Sequence, residues 1–259
     1  MTDAPLIEVD RLKAAYGGRT VFEKVSFDVQ RGEVFVILGG SGCGKSTLLK
    51  HMIGLYEPAD GKVFIGGKDI TTEDHDQRRS IQRGIGVMYQ SGALFGSLTL
   101  RENVRIPLEE HTDLPDEAMD AIADAKLKLV DLENFEDFMP HEISGGMKKR
   151  AAIARAMALE PEILFLDEPS AGLDPITSAE LDATIMWLSR TLGVTFVIVT
   201  HELPSIYSIA DRVVMLDKRI KGVIAIGTPT DLRDNAADDW VRRFFRREAG
   251  IEQQTEMKT

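Results

Sequence analysis

Gly39-Gly40-Ser41-Gly42-Cys43-Gly44-Lys45-Ser46-Thr47 has the spacing G-x-x-x-x-G-K-[ST] of a phosphate-binding loop. An apolar β-like run, Val34-Phe-Val-Ile-Leu38, precedes it, and a helical run, Ser46 to Ile53, follows. That strand–loop–helix setting separates a phosphate loop from an incidental Gly-rich turn. The glycines let main-chain N–H groups approach phosphate oxygens without a Cβ in the way. The helix start adds unpaired N–H groups and the positive end of its dipole. Lys45 is expected to reach the β- and γ-phosphates, and the Ser46 hydroxyl to hold Mg²⁺. The stretch reads as a nucleotide site.

Bulk properties narrow the possibilities. A chain of 259 residues can bury a full α/β core. With 42 Asp+Glu against 31 Lys+Arg and a formal charge of −11, the balance argues against a chain built to hold a nucleic-acid backbone. Cys43 is the only cysteine, which excludes an intrachain disulfide or a cysteine-based metal site. Its place in the loop suggests either an alkylatable thiol or simply a small side chain. Met1-Thr-Asp-Ala-Pro5 lacks the basic and apolar regions of a signal peptide. No run approaches the roughly 20 apolar residues needed to span a bilayer. The expectation is a soluble chain whose membrane tasks are done through a partner.

Along the chain, Leu6–Leu12 and Val25–Val29 read as strands around a turn at Tyr16-Gly17-Gly18. Tyr16 fits either cross-strand packing or stacking on an adenine ring. Lys62–Ile70 reads as a hairpin, and Gly86–Gln90 as a short strand ending in Gln90. The Gly-bearing stretch Ser91–Leu98 suits a loop that packs against something. Residues 99–135 are helical in pattern, with a clear amphipathic helix from Pro115 to about Val130. Ser144-Gly145-Gly146 opens an Ala-rich helix, which alone is an ordinary capped helix start but is also able to grip an anion.

Glu162-Ile-Leu-Phe-Leu-Asp167-Glu168 reads as a strand buried on both faces and ending in two carboxylates. Alternation along the strand would turn them opposite ways, giving Asp167 the Mg²⁺ shell and Glu168 the attacking water. Val194–Thr200 is another buried strand, delivering His201 to the same sheet edge, where it is expected to hydrogen-bond a γ-phosphate. Ligands in open α/β sheets bind beyond such C-terminal strand ends. Asp238–Glu248 reads as a last helix, with Trp240, Val241, Phe244 and Phe245 on one arc and Arg242, Arg243, Arg246 and Arg247 on the other. The apolar arc suits its own domain, a partner subunit or a membrane surface. The tail Gln253–Thr259 reads as disordered.

Taken in order, Tyr16, the phosphate loop, Gln90, Ser144-Gly145-Gly146, Asp167-Glu168, Ser170–Asp174 and His201 resemble the ATPase subunits of ABC transporters from Leu6 to about Pro229. The resemblance implies an α/β P-loop NTPase fold: a RecA-like core with an antiparallel β-subdomain and a helical subdomain. It implies an ATPase domain over 1–227, with the helical subdomain at about 91–160, and a C-terminal helical extension and tail over 228–259. The implied cofactors are ATP and Mg²⁺. Nucleotide-binding residues would be Tyr16, Gly39, Gly40, Ser41, Gly42, Cys43, Gly44, Lys45, Ser46, Thr47, Gln90, Ser144, Gly145 and Gly146. Ser46, Gln90 and Asp167 would serve the metal, and Glu168, His201 and Lys45 the chemistry. In that family two copies dimerise head to tail, so Ser144 and Gly146 would meet the γ-phosphate bound by the other copy, with Asp174 at the seam. Ile143 and Met147 depart from the commonest Leu-Ser-Gly-Gly-Gln pattern, leaving Ser-Gly-Gly intact.

Met88–Phe95, Pro107–Thr112, Ile143–Arg150 and Pro169–Pro175 further resemble the ATPases of Mla-type, Mce-associated lipid transporters. That resemblance implies phospholipid movement between inner and outer membranes. It also implies an integral-membrane permease, an Mce-domain lipid-binding protein and a small STAS-domain subunit. The chain would then be held peripherally at the cytoplasmic face of the inner membrane, with no nucleic-acid partner. Rival readings are an ABC transporter for another substrate, a regulator without turnover, and a soluble ABC ATPase acting on DNA or the ribosome. The last usually has a long coiled-coil insertion or a second phosphate loop, and neither is present here.

Overall fold

The computed structural model describes residues 4–90 and 92–248. The first strands, β1 (Ile7–Tyr16) and β2 (Arg19–Val29), are joined by the Gly17-Gly18 turn. Next come β3 (Val34–Gly39), α1 (Lys45–Met52), β4 (Asp60–Ile65), β5 (Lys68–Asp69), α2 (His75–Gln82) and β6 (Ile85–Met88). A helical stretch follows, with α3 (Leu100–His111), α4 (Asp116–Leu129) and α5 (Gly145–Ala156). The remainder alternates: β7 (Ile163–Asp167), α6 (Pro175–Leu192), β8 (Thr195–Val199), α7 (Leu203–Ile209), β9 (Arg212–Asp217), β10 (Gly222–Gly227), α8 (Pro229–Asn235) and α9 (Asp239–Arg246).

Two sheets result. β2-β1-β4-β5 is antiparallel, and the larger sheet runs β10-β9-β3-β8-β7-β6. Within the larger sheet, β6, β7, β8, β3 and β9 are parallel and β10 closes one edge antiparallel. Its strands are apolar throughout because both faces are covered. In β3, Phe35 and Ile37 enter the core shared with α1 and the small sheet, whereas Val34, Val36 and Leu38 enter the core under the helices. β7 divides likewise, with Ile163 and Phe165 on one side and Leu164 and Leu166 on the other.

The carboxyl ends of β3, β7 and β8 therefore lie side by side, with the loops that follow them along one edge. The expected short strand ending in Gln90 stops at Met88 instead, and Gln90 lies in a turn. The expected helical run over 99–135 is two helices, separated where Pro115 holds extended backbone before α4. Of the three surfaces open to the apolar arc of the last helix, the fold uses its own domain. Val241 and Phe245 are buried in the helical-side core, and Trp240 and Phe244 pack against it. The expectation for Gln253–Thr259 lies outside the described residues.

Candidate active site

The phosphate loop is shaped by close approach. Gly39 has φ of 149°, and a Cβ there would stand 2.3 Å from Leu216 O and 2.7 Å from Cys43 Sγ. Gly44, at φ of 101°, caps α1, and a Cβ on it would meet Phe22 and Val21 at 2.9 Å. No side chain caps α1 and its first turn carries no acidic residue. Its opening N–H groups are thus left to an external anion. Gly40, Ser41, Gly42 and Ser46 are exposed, Gly44, Lys45 and Thr47 half-buried. Lys45 Nζ donates to Gly39 O at 2.9 Å and to Gly40 O at 3.4 Å, folding over the loop. Cys43 is 3 % exposed and burial pushes its thiol pKa up, which favours the small-side-chain reading over a reactive thiol.

Beside the loop, Ser46 Oγ donates to Asp167 Oδ1 at 3.3 Å. Burial pushes the Asp167 carboxyl above the usual carboxylate range; the Ser46 hydrogen bond opposes this and the charge of Glu168 adds to it. Glu168 does not continue the strand. It has φ of 50°, in the left-handed region, and its N–H donates to Val199 O at 2.8 Å. The two carboxylates meet different partners across this left-handed turn, Asp167 beside Ser46 and Glu168 beside His201 beyond β8. There Glu168 Oε1 lies 2.9 Å from His201 Nδ1, while Glu168 Oε2 is buried with no partner. A left-handed non-glycine residue bearing an unsatisfied buried oxygen is the kind of strained feature found at functional sites.

Tyr16, 47 % exposed, stands at the end of β1. Its hydroxyl is 3.3 Å from Nε2 of the fully buried His51, whose Nδ1 is 3.0 Å from Tyr56 O. A neutral His51 with its proton on Nδ1 satisfies both contacts at once, donating to Tyr56 and accepting from Tyr16. The Tyr16 ring thus keeps a fixed orientation on an open face.

Other expected residues lie apart. Ser144 caps α5 by accepting from Met147 N at 3.3 Å. Cβ atoms on Gly145 and Gly146 would face Leu173 and Thr177, at the start of α6. Among the described residues no hydrogen bond joins Ser144, Gly145 or Gly146 to the phosphate loop, and none engages the Gln90 side chain. Asp174 caps α6 through Ile176 N, Thr177 N and Thr177 Oγ1, contacts that hold its carboxyl below the usual range. Sequence reasoning missed His51 and the buried Lys149. A histidine inside a helix and a lysine in a basic helical run look like ordinary helix residues until tertiary packing buries them.

Residues 22–171 match the family described as ABC transporter. The intermembrane phospholipid transport system ATP-binding protein MlaF of Escherichia coli (strain K12) is 38 % identical over 243 residues, 93 % of this chain and 89 % of that protein. The probable ribonucleotide transport ATP-binding protein mkl of Mycobacterium leprae is 40 % identical over 239 residues, covering 92 % and 68 %. Among solved structures, cbiO1 of Clostridium perfringens, part of the ABC transporter complex cbiONQ, superposes with a TM-score of 0.82 at 30 % identity, covering 90 % of this chain and 92 % of that one. The dimeric cassette MJ0796, in a post-hydrolysis state with ADP and Pi, gives 0.76 at 30 % identity, covering 86 % and 98 %. With its phosphate loop, paired strand-end carboxylates and neighbouring histidine, the chain belongs to the ABC transporter family as an ATP-binding, ATP-hydrolysing subunit.

Proposed function

We propose that this chain drives phospholipid transport between membranes by hydrolysing ATP within a head-to-tail pair of its own copies. The observation that carries the catalytic part is the convergence of Lys45, Ser46, Asp167, Glu168 and His201 beyond three neighbouring parallel strands. The adenine stacks on Tyr16. The triphosphate lies in the loop of Gly39, Gly40, Ser41, Gly42, Cys43, Gly44, Lys45, Ser46 and Thr47, and Lys45 leaves its two carbonyls for the β- and γ-phosphates. Glu168 orients and deprotonates water. His201, with its proton on Nδ1, donates to Glu168 and keeps that carboxylate aimed. Ser144, Gly145 and Gly146 serve the nucleotide of the second copy, with Asp174 near the seam. ATP thereby favours the closed pair, because only that state provides both half-sites.

The donor set fits Mg²⁺. Ser46 Oγ and Asp167 Oδ1 are two hard oxygen donors 3.3 Å apart beside the loop. Among the described residues no group of three or more His, Cys, Asp or Glu makes a protein-only cage. A metal here would share its shell with phosphate oxygens and water, as Mg²⁺ prefers. Ser46 and Asp167 would hold it, with Gln90 beside it. When bound, the ion neutralises charge developing on the phosphates.

No helix among the described residues is long and apolar enough to cross a membrane. The transport task accordingly falls to an integral-membrane permease, an Mce-domain lipid-binding protein and a STAS-domain subunit, with this chain peripheral at the inner membrane. Residues 1–227 form the ATPase unit, about 91–160 its helical subdomain, and 228–259 an extension. The phospholipid reading is supported by the 38 % identity to a protein named for that system. The 40 % identity to a protein named for ribonucleotide transport favours a second reading. Purifying the tagged chain from native membranes in mild detergent tests both. Recovery of a permease and an Mce-domain protein with phospholipid is the expected result, and an unrelated permease carrying ribonucleotide would replace it.

A further inference from the structure

Lys149 lies on α5, five residues after the capping Ser144, and is 8 % exposed. A buried ammonium is normally paired with a carboxylate. Here the Nζ polar partners among the described residues are two main-chain carbonyls, Gln90 O at 2.5 Å and Glu168 O at 3.5 Å. Glu168 needs anchoring because its backbone is left-handed at φ of 50°, a conformation that persists only where surroundings over-determine it. Its N–H is held by Val199 O on β8, and its carbonyl accepts from Ala171 N at 3.2 Å within its own loop. Among the described residues, Lys149 provides the one anchor that comes from α5.

The same helix grips the segment after Gln90 at a second point. Arg155 donates to Ala93 O at 2.7 Å and to Gly92 O at 2.9 Å. Arg155 therefore tethers that segment without reaching Glu168, whereas Lys149 spans both. Burial lowers the Lys149 pKa, opposed by the charges of Glu168 and Asp167.

We propose that Lys149 is a positioning residue for hydrolysis, fixing the main chain of Glu168 and of Gln90 to the helix that opens at Ser144-Gly145-Gly146. A displacement of α5, the helix whose start serves the second nucleotide, is thereby transmitted to the backbone carrying the catalytic carboxylate. The inference rests on reading Glu168 as the general base.

The test uses the full-length chain purified with the membrane proteins that accompany it, measuring steady-state ATPase activity and nucleotide affinity. Lys149→Met is expected to lower kcat about 30-fold with KM for ATP within about threefold. Lys149→Gln, one bond shorter but keeping two N–H donors, is expected to stay within about fivefold of wild type. Arg155→Met, which leaves the Glu168 tether in place, is expected to lose less than Lys149→Met. Lys149→Met within threefold of wild-type kcat overturns the proposal. Equal losses in the Met and Gln variants also overturn it, since charge or packing rather than main-chain donation would then be at work. If Lys149→Met does not fold, Lys149→Leu takes its place under the same threshold, and a kcat loss beyond tenfold in Lys149→Gln is likewise decisive against the proposal. Glu168→Gln is run in parallel. Retained hydrolysis there overturns the base assignment and the proposal with it, a result distinct from any Lys149 outcome.

Discussion

His201 Nδ1 stands 2.9 Å from Glu168 Oε1, joining the residues just beyond two adjacent parallel strands across 33 positions of sequence. It is the polar contact of that carboxylate among the described residues, and the second oxygen is buried and unpartnered. Held on one side and unpartnered on the other, this carboxylate supports the proposed role of Glu168 as the base that takes a proton from water.

Glu168→Gln keeps the shape and one acceptor but removes the basicity. ATP affinity should stay near wild type, while turnover falls roughly 10² to 10⁴-fold, the usual range for a lost general base. Phosphate release and nucleotide binding, measured on one preparation, separate the two quantities. Near-normal turnover would assign the base to another residue.

Lys45→Ala should act on binding instead. Its Nζ is already turned over the loop, on Gly39 O and Gly40 O, and has only to exchange those acceptors for phosphate oxygens. Hydrogen bonds involving a charged group are worth about 1.5–3 kcal/mol, so ATP affinity should fall about 10 to 150-fold. Equilibrium titration with a fluorescent ATP analogue reads this directly, and an unchanged affinity would contradict the phosphate-loop assignment.

His51 gives the fold a pH dependence of definite sign. Burial lowers its pKa from the ordinary 6.5, with the contact to Tyr56 O opposing. Below pH 6.5 the unfolded chain takes up a proton that the folded one resists, so stability from this group is full above that pH and declines as pH falls through it. The slope is bounded at about 1.4 kcal/mol per pH unit for one proton. Thermal unfolding of wild type and His51→Gln between pH 7.5 and 5.5 should differ in slope, and parallel curves would rule this account out.

Phe245 is 2 % exposed in the helical-side core, and its carbonyl accepts from the Tyr207 hydroxyl at 2.8 Å. Phe245→Ala should cost about 3–5 kcal/mol, and truncation after Gly227 should lower the melting temperature of the ATPase unit. Denaturant titration checks both. An unchanged midpoint in either would mean that the last two helices are dispensable packing.

Much of this fold is legible in the sequence because its strands are short and continuously apolar and its turns carry Gly, Pro or Asp at the caps. Thr228-Pro229, Asp174-Pro175 and Ser144 all cap helices where their chemistry says they should. Glu168 was legible as a strand-end carboxylate, but not as a left-handed residue, since nothing local distinguishes that backbone from one more extended residue. Lys149 and His51 were illegible for a related reason. Their burial is decided by segments about 20 to 60 residues away, Gln90 and Glu168 for the one and Tyr16 for the other. Periodicity within a helix carries no trace of either. The fate of the apolar arc on α9 likewise needed its partner surface, supplied by the helical-side core.

The central strand β3 has a consequence for how the chain comes off translation. It pairs Val34 with Phe196 and Phe35 with Arg212, so its nearer neighbour is decoded about 160 positions later. At about 5–20 residues per second that interval lasts roughly 8 to 32 s. The small antiparallel sheet, complete by Asp69, closes early in that time. The run Val-Phe-Val-Ile-Leu, meanwhile, waits as an unpaired apolar edge on the nascent chain. Long-range parallel pairing of this kind is intrinsically slow and prone to association. Heterologous production should therefore be governed by synthesis rate and by chaperones that cover exposed apolar strands more than by the stability of the finished domain.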